Sequence, residues 1–154
     1  MNASERFGAY ITGQPVDRMP VIEWAPFWKQ TVKRWSSDGV PVIIDSDGNI
    51  TDAVDWYRSV GADGMLPLER NAGVDVSLYI SKHPDMCFIG HFDKMCMKDG
   101  EKAMRAEFER ILPSAKKGRV IISVDHQTPP DVSADNYRTY VSLLKEYAEK
   151  IGSL

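Results

Sequence analysis

The sequence predicts an α/β fold: a parallel sheet of about five strands with flanking helices. Two features of the chain carry that prediction. Short, β-branched apolar runs alternate with stretches of helical periodicity, the pattern of a parallel sheet with right-handed crossovers. The clearest run, residues 119–124, is almost wholly apolar and reads as a strand covered on both faces; it halts at Asp125 and His126, and Pro129 and Pro130 then forbid further pairing. The length bounds the architecture. A chain of 154 residues is most simply one domain, 1–154, and falls short of the ~200–250 residues of a closed eight-stranded barrel.

The elements follow in order. Residues 3–12 predict a short helix with Phe7 and Ile11 on one face, closed by Gly13. Residues 19–24 predict a strand with Pro20 near its start, and Pro26 suits the first turn of a helix in which Trp28, Thr31, Val32 and Trp35 share a face. Residues 41–45 and 64–69 predict strands ending in acid. Between them, residues 51–60 form a helix that buries Val54, Tyr57 and Val60 and stops at Gly61. Residues 74–82 predict a helix stopped before Pro84, and 86–90 a third strand of this series. Residues 100–112 carry the stripe Met104, Phe108, Ile111 and Leu112. After strand 119–124, Ser133 caps a final helix whose predicted stripe is Tyr137, Tyr140, Val141, Leu144, Ala148 and Ile151.

Composition narrows the function. An apolar content of 43% and a charged content of 27% are ordinary for a folded soluble chain. A net charge of −3 gives no electrostatic reason to expect nucleic acid. No run nears the ~18 apolar residues of a membrane span, and the N-terminus lacks a signal-peptide pattern. Cys87 and Cys96 have no zinc or redox spacing and read as reduced core thiols, so the expectation is a cytoplasmic protein.

The chemistry collects at the strand ends: Glu23, Asp45 with Asp47, Glu69, His91 with Asp93, and Asp125 with His126. Parallel strands place all these ends on one edge, and carboxylates brought together there either rise in pKa or require a cation. One outcome is general acid–base chemistry, with His126, Asp125 and Glu69 as the catalytic candidates. The other is a divalent ion, zinc or manganese, held by Asp45, Asp47 and His126. Plainer roles stand beside these. Asp47 and Asp93 are placed to cap helices, Asp47-Gly48 suits a tight turn, and an Asp125–His126 hydrogen bond would shape a turn. The cap is the favoured role for Asp93, and the site for Asp45 and His126.

Several segments, taken in this order, resemble the uroporphyrinogen decarboxylase superfamily: 15–20, 28–41, 42–48, 61–69, 72–75, 89–94 and 123–137. That superfamily includes the haem-pathway decarboxylase and corrinoid-dependent methyltransferases. The resemblance implies an eight-stranded barrel with its site at the C-terminal strand ends, and makes this chain a partial (β/α) barrel of the TIM type with about five parallel strands and flanking helices. Residues 1–40 match its N-terminal part with the first strand, and 41–154 its last four βα units; the join falls near 39–42, and strand 119–124 lies beside strand 19–24. It also implies that His126 occupies the place of an active-site histidine near the substrate. In the methyltransferase branch, Asp45 and Asp47 align with a zinc-binding His-x-Cys pair and His126 with a later Cys. The expected function is therefore a decarboxylase-like or methyltransferase-like protein that binds a small molecule or metal at the strand ends. The alternative is a catalytically inactive, truncated member acting as an oligomeric or binding module. A partial barrel leaves raw edges at 41–45 and 19–24 and an open inner face, which predicts a homodimer.

Overall fold

The computed structural model describes residues 2, 5, 9, 15, 17, 33, 34, 37–39 and 41–152. Strand 19–24, its place beside 119–124, Glu23, the face from Trp28 to Trp35, and Phe7 and Ile11 of the first helix lie outside the described residues.

From residue 41 the expected alternation is the observed one. The chain runs β1 (Ile43–Asp45), α1 (Val54–Ser59), β2 (Gly64–Leu66), α2 (Val76–Lys82), β3 (Cys87–Phe92), α3 (Glu101–Ala115), β4 (Val120–Val124) and α4 (Ala134–Gly152). The four strands are parallel and adjacent in chain order, β1-β2-β3-β4. Short 3₁₀ turns, Arg70–Ala72 and Lys94–Asp99, fill the connections after β2 and β3. This is an α/β sheet of the partial-barrel kind, with four of the expected strands among the described residues. No described helix is long and apolar enough to cross a membrane.

Local chemistry sets the boundaries. Ser133 accepts the Asn136 N–H through its hydroxyl at 3.1 Å, the predicted cap of α4. Asp75 caps α2 by accepting the Ser77 N–H at 2.9 Å, a cap that periodicity alone does not reveal. β3 extends two residues beyond its predicted end, so His91 lies within the strand rather than at its tip. Left-handed backbone at Gly90 and His91 (φ 116° and 67°) accompanies this extension. Only glycine fits at position 90, because a Cβ there would lie 1.8 Å from the Pro67 carbonyl oxygen.

One face of the sheet is the core. Ile44, Met65, Phe88 and Val120 are ladder partners in one row across all four strands, and each is buried. Met104, Phe108 and Ile111 of α3 are fully buried, as their spacing predicts. Phe108 stands at the centre of an aromatic group, 4.6 Å from the Phe92 ring and 4.7 Å, stacked, from Tyr147.

Two expectations are corrected here. β4 is not covered on both faces: Val120 and Ile122 are buried, but Ile121 between them is 54% exposed. Successive strand residues point to opposite sides, and Ile121 faces the side opposite to its buried neighbours Val120 and Ile122. The buried stripe of α4 is also shifted. Tyr140, Leu143 and Tyr147 are its buried residues, while Tyr137 is 47% exposed. The predicted Val141, Leu144 and Ile151 pack partly buried against the core, and Leu144, Ala148 and Ile151 also line an apolar groove of about 210 Å³ with Val120, Ile121 and Ile122. α4 therefore has two apolar sides, one packed on α3 and one turned to the edge of β4.

Phe108→Ala should destabilise the fold by about 3–5 kcal/mol, the usual cost of emptying a fully buried aromatic site. Urea denaturation of the two proteins measures it.

Candidate functional site

The C-terminal ends of the four strands each send a charged or titratable group to the same edge. Asp47 follows β1, Glu69 follows β2, Lys94 follows β3, and Asp125 with His126 follows β4.

Asp125 is the centre of the group and is completely buried. Its backbone N–H continues the ladder by donating to the Phe92 carbonyl at 2.9 Å. Its carboxylate accepts the Arg70 backbone N–H at 2.8 Å, the Lys94 backbone N–H at 3.2 Å and the Lys94 ammonium at 3.5 Å. A carboxylate removed from water must be paired and hydrogen-bonded. Those bonds tie the connections after β2 and β3 to the end of β4. The expected Asp125–His126 turn bond is therefore replaced by bonds to two other loops.

Lys94 links Asp125 to Glu69, whose Oε1 accepts the ammonium at 3.0 Å. Burial alone would lower the lysine pKa, but Glu69 and Asp125 together outweigh it and hold Lys94 above the ordinary lysine range. The hydrogen bond from Lys94 is the largest influence on Glu69 and keeps its carboxyl below the usual value. The Lys94 charge, His126 and the Gly48 N–H act in the same direction against a smaller burial effect. Glu69 is thus an anion in this arrangement, with about a quarter of its side chain open to solvent.

His126 lies at the outer rim with its side chain 37% exposed, and its Nε2 is 3.5 Å from Asp47 Oδ1. Asp47 is itself largely exposed, and Asp45 ends β1 as an exposed residue. The structure brings His126 and Asp47 together but does not complete the expected metal set. Among the described residues, no three His, Cys, Asp or Glu side chains converge on a point that would hold an ion. A protein zinc site usually supplies three or four ligands, and Asp47 with His126 supplies two of that set here. The physical reason is visible in the charges. The cation that crowded carboxylates call for is already present at Glu69 and Asp125, as the ammonium of Lys94.

The other strand-end residues separate cleanly. Asp93 is a cap, accepting the Met95 N–H at 2.9 Å, as expected. His91 points into the core and is wholly buried, away from the rim. Lys94 and the Arg70 backbone were missed by reading motifs for acids and histidine. The available signal was the basic residue directly after Asp93, at an edge otherwise crowded with carboxylates.

Residues 23–147 match the family model described as Uroporphyrinogen decarboxylase (URO-D). The match takes in every resembling segment except residues 15–20. No curated protein matches the chain.

Asp125→Asn keeps the shape but removes the charge that three donors share. It should cost about 1.5–3 kcal/mol in chemical denaturation, the range for hydrogen bonds to a charged group. His126→Ala, at a half-exposed rim, should stay within about 0.5 kcal/mol of the parent.

Proposed function

The chain belongs to the uroporphyrinogen decarboxylase family, and from that membership we propose that it binds a small polar molecule at the mouth formed by the four strand ends. The observation that supports this is the pair Asp47–His126 beside the chain from Glu69 through Lys94 to Asp125, with at least one member after each strand.

His126 is the group to move a proton. It is exposed enough to meet a ligand, and Asp47 Oδ1 lies 3.5 Å from its Nε2. A decarboxylation needs such a donor: once the carboxyl group leaves as carbon dioxide, the carbon that held it takes up a proton. Glu69, kept ionised by Lys94, offers a fixed hydrogen-bond acceptor for a donor group on the ligand. Asp125 holds the loops in place from below. The free thiols Cys87 and Cys96 accord with a reducing, cytoplasmic setting.

We also infer a non-catalytic role as the alternative, in which a second copy covers the open side of the sheet. Ile121, 54% exposed at the middle of β4, supports it, as do the strand edges of β1 and β4 that have no partner among the described residues.

NMR titration with uroporphyrin, methylcobalamin and a panel of small carboxylic acids, amines and thiols tests the first reading. At least one probe should move the Gly48, Arg70, Lys94 and His126 signals together, and His126→Ala should weaken that probe at least about tenfold while the fold persists. No coordinated shift with any probe, or unchanged binding after His126→Ala, removes the assignment. Sedimentation tests the second reading: a dimer is expected, converted to monomer by Ile121→Lys. A monodisperse monomer of the parent protein rules it out.

A further inference from the structure

His91 is completely buried and touches three separate parts of the chain. Its Nδ1 is 3.2 Å from the Leu68 carbonyl, in the connection that carries Glu69 and Arg70. Its Nε2 is 3.4 Å from the Val76 N–H at the start of α2 and 3.1 Å from an Nη1 of Arg110 on α3. The second nitrogen of the same guanidinium donates to the His91 carbonyl at 3.1 Å, and Arg110 is itself held by Glu107. The His91 N–H also donates to the Pro67 carbonyl at 3.0 Å.

These partners leave one protonation state. The Leu68 carbonyl only accepts, so Nδ1 must carry the hydrogen. The Val76 amide and the Arg110 guanidinium only donate, so Nε2 must present its lone pair. The imidazole is neutral, with one tautomer selected by its surroundings. A proton on Nε2 would turn an acceptor of two hydrogen bonds into a donor aimed at two donors, and would set a positive ring beside the positive Arg110.

We propose that His91 is an acid-sensitive latch. Neutral, it fastens the connection bearing Leu68, Glu69 and Arg70 to α2 and α3; protonated, it releases that connection and with it the Glu69 side of the mouth. The latch reaches beyond ligand binding, because it governs the loop whether or not a ligand is present.

The charged groups around the ring work in both directions. Burial, the largest influence, and then the Arg110 charge push the His91 pKa below its ordinary 6.5; Arg70 adds to this, while the Leu68 bond and Asp75 oppose it. Glu107 on α3 and Asp75 at the cap of α2 are the nearby acids. Burial would raise both, but Arg110 and the Asp93 N–H outweigh it at Glu107, and the Ser77 hydrogen bonds do so at Asp75; both stay ionised through mildly acidic pH. A histidine with a lowered folded pKa contributes fully to stability above about 6.5. That contribution is lost as pH falls from there through the folded value.

The test follows the imidazole and the loop together in the parent protein. Long-range ¹⁵N NMR at pH 7.5 should show His91 as the neutral Nδ1–H tautomer, still mostly neutral at pH 6.5. Hydrogen-exchange protection factors of the Arg70 and Lys94 amides, both held by Asp125, should then fall by up to about tenfold per pH unit below 6.5. In His91→Gln the protection should lose that pH dependence. An Nε2–H tautomer, an imidazole already protonated at neutral pH, or protonation that leaves both amides equally protected would overturn the latch. None of these results bears on whether a ligand shifts the Gly48 and His126 signals, so the two proposals fail separately.

Discussion

A carboxylate sealed from water sits beneath the candidate site, and the arrangement above depends on keeping it satisfied. Asp125 has no exposure and is served by two backbone amides and an ammonium from loops remote in sequence. An unpaired buried charge would cost several kcal/mol or more, so the loops after β2 and β3 have little freedom to be elsewhere. Their position in turn sets that of Glu69 and Lys94. The edge of the sheet is therefore organised from below, by hydrogen bonding, before any ligand is considered.

Lys94 explains why the edge tolerates so many acids. With its side chain only 12% exposed, it lies between Glu69 and Asp125 and neutralises part of their charge. The crowding of strand-end acids pointed to a bound cation held by Asp45, Asp47 and His126. The folded chain holds an internal cation one strand further along and leaves the Asp47–His126 pair at the rim. Neither partner of that rim pair is committed to the core.

The sheet is unequal in its two sides. Helices α3 and α4, with the aromatic group around Phe108, cover one side thoroughly. The opposite side exposes Ile121, and the edge of β4 meets α4 in an apolar groove. Apolar surface of this sort in a barrel-like fold is ordinarily buried by the next βα unit or by a partner. The core thus lies on the side of the sheet that the helices cover.

From residue 41 onward the sequence by itself determined the succession of strands and helices, because alternating apolar runs and helical stripes are local patterns. The Met104–Phe108–Ile111 stripe and the Ser133 cap are read directly from spacing. The family was legible as well, from ordered segments such as 61–69 and 123–137. Tertiary structure alone decided which strand-end residues share a site. His91 and Asp93 look equivalent to Asp125 and His126 along the chain, yet the backbone near Gly90 goes with a core position for His91, and a local N–H makes Asp93 a cap. The same holds for Lys94, whose partners lie 25 and 31 residues away, and for Ile121, whose exposure depends on what closes over the sheet. Hydrogen bonds and burial between distant segments carry no periodic signature, so they become visible only when the chain is folded.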